Sequence, residues 1–377
     1  MTTTHRLTHG MPQTPVSRRT AAHRLAALVL ASMALLVAAS ARSAFASDSA
    51  SPFSFAVLCD SRSSYAGDPA GTASPYYSDS GISPYFQNVA YALARETGVD
   101  FVVYPGDLVR GKKPALTGDQ FATELDAFDA LMQPVYSAGV PVYYVRGNHD
   151  AYEVSDYLTT GVSAAEIWRE HLFQPGQGPN PAEDVVTWDT SIPGALTTFA
   201  FQHKGSLFVG LDEYPNGAKN PPGFDAAFLS EQLAAKVNHK FAFAHQPVWN
   251  YKTDELGPVD LADALQAGKV DVYFSGHVHS YQRIAEAGYR FQELLIGVAG
   301  APQEDPVLVS GGSSGQYTPD PNLTVKSWAG GLDPRFGYAV VTVHADGSIT
   351  TVMKFLDDPA SPTSTVSTFD AANVTPR

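Results

Sequence analysis

A chain of 377 residues, 44% of them hydrophobic, can bury a large core, which excludes disorder as its default state. Its formal charge of −14 excludes a nucleic-acid scaffold or an anionic membrane surface as its natural partner, and its one cysteine, Cys59, excludes an intramolecular disulfide.

Residues 1–46 read as an export signal. Arg18 and Arg19 precede an apolar run from Leu25 to Ala41, and Ala44-Phe45-Ala46 closes it with small residues. A run of about 17 residues is short for a span, which favours cleavage after Ala46 over a retained anchor. Ser17-Arg18-Arg19 hints at twin-arginine export, although Ala21 and Ala22 stand where larger apolar residues would strengthen that motif. The expected destination is periplasmic or extracellular. Removal of 1–46 takes away five arginines and no acids, leaving 19 basic and 38 acidic residues and a formal charge of −19. So acidic a surface repels anionic substrates unless cations sit in the site. Residues 47–377 are expected to form a single domain with no membrane span; nothing in them fixes an oligomeric state.

Apolar runs at 53–59, 101–104, 140–145, 207–211, 240–244 and 270–274 read as buried strands. Helical patterns lie between some of them, at 86–97, 120–138, 164–172, 225–236 and 261–267. Strands alternating with helices argue for a layered α/β fold. Segments 197–202, 291–298, 338–344 and 348–355 read as strands without intervening helices, and Ala345-Asp346-Gly347 reads as a hairpin turn. Three long stretches, 61–84, 175–194 and 302–334, are rich in Gly, Pro, Ser or Asn and are expected to be irregular. In the first, Tyr65, Tyr76 and Tyr77 either wall a substrate pocket or belong to a solvated insertion.

The chemistry gathers where strands end. The first run ends in Asp60, the second in Gly106-Asp107, and the third in Gly147-Asn148-His149-Asp150. The run at 240–244 ends in His245, and that at 270–274 in Gly276-His277-Val278-His279. A parallel arrangement brings such ends to one rim. Each motif alone is weak, since a Gly-Asp is a turn, a His-x-His is more often hydrogen-bonded than metallated, and the rarer Gly-Asn-His-Asp is also compatible with a turn, but five in order, each after an apolar strand, mark a site.

This order resembles the calcineurin-like metallophosphoesterase family, and Gly276 to Arg283 (GHVHSYQR) resembles its purple acid phosphatase branch. The resemblance implies an α/β (α+β) four-layer sandwich, two mixed β-sheets packed face to face with helices outside. It implies one or two metal ions, Mn, Fe or Zn by their oxygen and imidazole ligands. Asp107 would be shared, Asn148, His245 and His277 would complete one set, and Asp60 and His279 would belong to the other. His149 would protonate the leaving oxygen and Asp150 would orient its imidazole. The implied activity is hydrolysis of a phosphomonoester or phosphodiester by metal-activated hydroxide.

The first motif departs from the family. Arg62 stands where a histidine is usual, and a guanidinium offers no lone pair. The tyrosine that serves the purple acid phosphatases would fall at Arg110, and Tyr104 points elsewhere on a regular strand. Several readings stand: a second ion held by Asp60, Asp107 and His279 alone; Arg62 replacing that ion's charge and gripping a phosphate oxygen; a ligand from the 61–84 loop, with Asp68 and Asp79 as candidates; or Arg62 turned away. The rival function is a non-catalytic relative that binds phosphate or a partner. Without a ligating tyrosine the metal-loaded protein is expected to be colourless.

Overall fold

The computed structural model describes residues 51–111, 116–173, 186–191, 196–218, 221–249, 257–304, 323–329 and 334–374. The export segment 1–46 and most of 175–194 and 302–334 lie outside them.

In chain order the elements are β1 (Phe53–Val57), α1 (Phe86–Ala94), β2 (Val99–Tyr104), α2 (Gly118–Ser137), β3 (Val142–Tyr144), α3 (Tyr157–Thr160), α4 (Ala164–Leu172), β4 (Val186–Trp188), β5 (Phe199–His203) and β6 (Ser206–Gly210). They continue with α5 (Ala226–Leu233), β7 (His239–Phe243), α6 (Leu261–Ala267), β8 (Val272–Ser275), β9 (Tyr281–Glu286), β10 (Gln292–Ile296), β11 (Leu323–Ala329), β12 (Gly337–Val343), β13 (Ile349–Leu356) and β14 (Val366–Val374). The strands form two sheets, of order β14-β13-β12-β1-β2-β3 and β11-β9-β10-β8-β7-β6-β5-β4. Each is mixed: β1-β2-β3 and β6-β7-β8-β10 run parallel, and antiparallel strands flank them.

Period-two alternation explains the layering. On β6, β7 and β8, Phe208, Phe241, Phe243 and Phe274 join a core shared with the other sheet. Their neighbours Leu207, Val209, Ala242 and Tyr273 join a second core with Phe228, Leu229 and Leu233 of α5 and Leu261 and Leu265 of α6. Phe55 lies at the centre of the first core, 5.2 Å from Phe101 of its own sheet and 5.1, 5.3 and 5.6 Å from Phe208, Phe241 and Phe274 of the facing one. Such ring pairs contribute about 0.5–1.5 kcal/mol each beyond their burial. Helices α1 and α2 cover the far side of the six-stranded sheet. In α1, Phe86, Val89, Ala90 and Leu93 share one buried stripe at helical spacing. Capping boxes start α2 (Thr117 with Gln120) and α4 (Ser163 with Glu166). The observed architecture is the four-layer sandwich.

Among the ion pairs that tie the sheets together, two involve arginine. Beyond β3, Arg146 reaches Asp212 beyond β6, with Nε and Nη2 at 2.9 and 2.6 Å from Oδ2, and Thr197 donates to the same oxygen. At the opposite edge Arg283 of β9 makes a two-pronged contact with Asp370 of β14, at 2.7 and 3.1 Å, and Tyr281 donates to Asp370 at 2.8 Å. Strands β4, β9, β11 and β14 were not expected from the sequence. The short α3 lies between two expected elements.

Among the described residues no helix is long and apolar enough to cross a membrane.

Candidate metal centre

The five motif strands, β1, β2 and β3 in one sheet and β7 and β8 in the other, end at one rim. Asp60, Asp107 and His277 adopt positive φ, at 64°, 52° and 68°. These are three of the six non-glycine positive-φ residues among those described. Such backbone costs about 1–2 kcal/mol per residue and serves here to aim side chains inward. Glycine is required beside them: a Cβ on Gly147 would strike the Asp107 carboxylate, and one on Gly276 would strike Asp60 and the Cys59 sulfur. Main-chain bonds from Asp60 N to Gly106 O (3.3 Å) and Ser61 N to Asp107 O (3.1 Å) join the first two loops.

Asn148 Oδ1, His245 Nε2 and His277 Nδ1 form a triangle with sides of 3.0, 3.1 and 3.2 Å. His245 Nδ1 lies 3.0 Å from the Pro105 carbonyl, which can only accept, so in the neutral ring the Nε2 lone pair faces the triangle. Asp107 Oδ1 is 3.3 Å from the same Nε2. Burial disfavours charge on His245, yet Asp107, Asp60 and Glu213 pull its imidazole up to about 9. The surrounding acids thus hold positive charge at this point, as a proton or as a cation. Burial and the neighbouring His245 push His277 well below its usual value, which leaves its ring neutral. For Asp107, burial is outweighed by His245, His149 and Arg62, which hold its carboxyl well below the usual range.

The second group is Asp60, Asp107 and His279, whose candidate ligand atoms lie within 4.8 Å of one another. Asp60 Oδ2 accepts from His277 N at 2.9 Å, while the buried Oδ1 has no hydrogen-bond partner and lies 3.6 Å from His279 Nε2. Burial pushes Asp60 up to about 7 against the pull of His245. The Pro302 carbonyl accepts from His279 Nδ1 at 2.7 Å, so Nε2 presents its lone pair inward. Burial and Arg62 lower His279 to about 3. An orphaned carboxylate oxygen, inward nitrogens on His245, His277 and His279 and a shared acid are a donor set that fits metal ions. Cys59 lies beneath, its thiol donating to Gly106 O at 3.2 Å, and burial raises it well above its usual value, so it stays a thiol.

Arg62 turns inward. Its Nε, buried and without a hydrogen bond, lies 3.5 Å from Asp107 Oδ2, and its guanidinium sits 5.9 Å from the Tyr65 ring centroid. The reading in which it points away is therefore corrected. Asp68 is engaged with the Tyr65 amide at 2.8 Å and Asp79 with the Tyr77 hydroxyl at 2.6 Å, so the loop carboxylates close turns instead of facing the ligand groups. Tyr76 packs on Tyr85 and Phe336. Arg110 points to the other side, bound to Glu124 at 3.0 Å and Ser78 O at 2.9 Å. Tyr104 lies in the core against Phe86, Phe128 and Tyr144.

His149 lies beside Asp107, with Nε2 3.8 Å from Oδ2. Its Nδ1 is 2.7 Å from Arg110 O and 3.0 Å from the Tyr65 hydroxyl. Asp150 is placed differently from expectation. Its oxygens accept from the amides of Gly147 (2.9 Å), Leu108 (3.1 Å) and Val109 (3.4 Å), binding the second and third motif loops together. The Arg110 carbonyl, not Asp150, meets the His149 ring nitrogen, because Asp150 lies under the loops and its lone pairs are spent on main-chain donors.

Among the buried acids that escaped the sequence reading, Glu213 and Glu293 support the site. Glu213 accepts from Gln246 N at 2.6 Å. Glu293 accepts from the amides of Val248 (3.2 Å) and Trp249 (2.8 Å) and from Ser275 Oγ (2.5 Å). Together they clamp the segment after His245. The trace of Glu293 in the sequence is an acid beside the apolar run Leu294-Leu295-Ile296. A cavity of about 330 Å³ lies at the other end of the strands, near Lys204, Ser206, His239 and His344, away from this rim.

The family model described as calcineurin-like phosphoesterase matches residues 67–281, more than half of the chain. The chain belongs to this family. The matched phosphoesterase segment holds Asp107, Asn148, His149, Asp150, His245, His277 and His279 and begins after Asp60 and Arg62, where the first motif departs. Purple acid phosphatase 23 of Arabidopsis thaliana is 25% identical over 169 residues, 42% of this phosphoesterase chain and 32% of that protein, so the match spans about a third of the relative's length. Purple acid phosphatase PPD1 from yellow lupin (Lupinus luteus) seeds shares the fold at a TM-score of 0.56 and 15% identity, over 87% of this chain and 54% of that one. PhoD does so at 0.54 and 12%, over 87% and 72%, and GAP50, described as the anchor in the inner membrane complex of Plasmodium, at 0.51 and 13%, over 86% and 89%.

Proposed function

We propose that this phosphoesterase chain hydrolyses a phosphomonoester or phosphodiester with the help of one or two ions of the manganese, iron or zinc kind. The observation that carries the reading is the meeting of Asn148, His245 and His277 lone pairs beside Asp107, with the orphaned Asp60 oxygen and His279 on its other side. Ions bound there supply charge neutralisation and an activated attacking water.

The chain's own groups do the rest. The Arg110 carbonyl holds the His149 Nδ1 proton, so the transferable proton of that ring sits on Nε2, facing the centre. As the P–O ester bond breaks, the leaving oxygen takes this proton. Arg62, with a buried and unsatisfied Nε, grips a phosphate oxygen. Asp150 keeps the two motif loops in register. The arginine pair, the apolar run and the small-residue exit within 1–46 support export to the periplasm or exterior.

A second reading, a phosphate- or partner-binding relative without turnover, is favoured by the Arg62 contact to Asp107, which places a fixed positive charge beside the shared acid. The fold does not decide between them. The test is turnover of alkyl phosphate mono- and diesters, whose leaving oxygens need a proton, by the manganese-loaded full chain and its His149→Ala variant. The expected result is a loss of roughly 100-fold or more in kcat with metal content unchanged. Equal turnover in the variant removes the assigned acid. Retained metal with no turnover of either ester by the wild type selects the second reading.

A further inference from the structure

Tyr65 belongs to neither ligand group, yet it touches both of the chain's non-ligating actors. Its hydroxyl is 3.0 Å from His149 Nδ1, and its ring lies under the Arg62 guanidinium at 5.9 Å. The two aromatic rings of Tyr65 and His149 are 5.8 Å apart and inclined by 32°. The loop that delivers Tyr65 is fastened at several points. Asp68 accepts from the Tyr65 amide at 2.8 Å, Asp68 N returns to Tyr65 O at 3.2 Å, and Ser64 N reaches Tyr76 O at 3.2 Å. Tyr65 is thus held by main-chain contacts that do not depend on substrate.

We propose that Tyr65 is a positioning residue of the phosphoesterase reaction, its hydroxyl fixing the tilt of the His149 imidazole and its ring carrying the Arg62 guanidinium. The inference rests on the hydrolase reading above.

The physical reason lies in the shape of imidazole. Nε2 and Nδ1 sit on opposite edges of the ring, so a small rotation about the Cβ–Cγ bond swings Nε2 away from the leaving oxygen. One carbonyl contact, from Arg110, leaves that rotation soft; a second contact at the same nitrogen stiffens it. The Nδ1 proton is shared between Arg110 O and the tyrosine oxygen, which acts as an acceptor and keeps its own proton. Arg62 gains differently: a cation over an aromatic face keeps its orientation without spending a hydrogen-bond donor that the phosphate needs.

These two effects separate by substitution. Tyr65→Phe keeps the ring and removes the hydroxyl, whereas Tyr65→Leu removes both. For the zinc-loaded full chain, Tyr65→Phe is expected to lower kcat about tenfold on an alkyl phosphate, the size of a lost hydrogen bond, and hardly at all on a nitrophenyl phosphate, whose leaving group needs no proton. KM and zinc content stay at wild-type values. Tyr65→Leu adds a rise in KM and a weaker affinity for inorganic phosphate by calorimetry. A loss that is equal for both leaving groups, or no loss, overturns the proposal.

A readout independent of turnover accompanies it. In histidine-labelled protein, the His149 Nδ1 proton resonance is expected to shift and exchange faster with solvent in Tyr65→Phe; an unchanged resonance overturns the brace. Absence of wild-type turnover would defeat the hydrolase reading and leave this resonance to decide the brace alone.

Discussion

Arg62 sets the question at the scale of single residues. It brings a permanent charge to a place where a neighbouring histidine (His279), an aspartate (Asp60) and the shared Asp107 already offer three ligand atoms. Arg62→His removes the charge and returns a lone pair, so it is expected to tighten metal binding at the Asp60 side by roughly 10- to 100-fold. Elemental analysis after loading and desalting measures it, as ions retained per chain against the wild type. No gain would mean that the position cannot reach a shared ion. The ligand candidates were legible in the sequence because each follows an apolar strand directly, where chain direction leaves little freedom. Asp150 was legible as a site residue but not in its role, because its side chain turns under the loop, and Tyr65 was read only as a candidate pocket wall, because its contact to His149 depends on how a long loop closes.

The segment after His245 carries the chemistry of whole elements. Strand β10 contributes Glu293, fully buried and hydrogen-bonded to the Val248 and Trp249 amides. Burial pushes its carboxyl from 4.5 up to about 8. A raised carboxyl means that the folded state holds a proton the unfolded chain has released. Its contribution to stability is therefore full below about pH 4.5 and falls as pH rises toward 8, levelling above that. Glu293→Gln removes this slope, so between pH 5 and 9 the variant should gain on the wild type by an amount on the order of a few kcal/mol. Denaturant unfolding at both pH values checks it, and a parallel pair of curves would show that the acid ionises freely in the folded protein. The strands the sequence left unread have a common cause. Strands β9 and β14 break their apolar residues up with polar ones and hold no continuous apolar run, and β14, an edge strand with most side chains at least partly exposed, is fastened to the facing sheet through Asp370. The central strands read easily because each has hydrophobic neighbours on both faces.

For the molecule as a whole, the candidate ligands divide by sheet: Asp60, Asp107 and Asn148 follow strands of the six-stranded sheet, His245, His277 and His279 strands of the eight-stranded one. A cation held among them is a cross-link between the two halves of the sandwich. Chelation is expected to lower Tm by roughly 5–10 °C, with recovery when manganese is restored. Scanning calorimetry with and without chelator measures it; an unchanged Tm would mean that the aromatic core and the inter-sheet ion pairs hold the sheets without a cation.

His149, His245 and His279 each have Nδ1 against a main-chain carbonyl, of Arg110, Pro105 and Pro302. A main-chain oxygen survives any substitution at its own residue. Drift in these three positions therefore leaves the proton pattern of the imidazoles intact, while a one-residue insertion or deletion in any of the three loops erases it. Descendants of this gene should tolerate new letters there far better than new lengths.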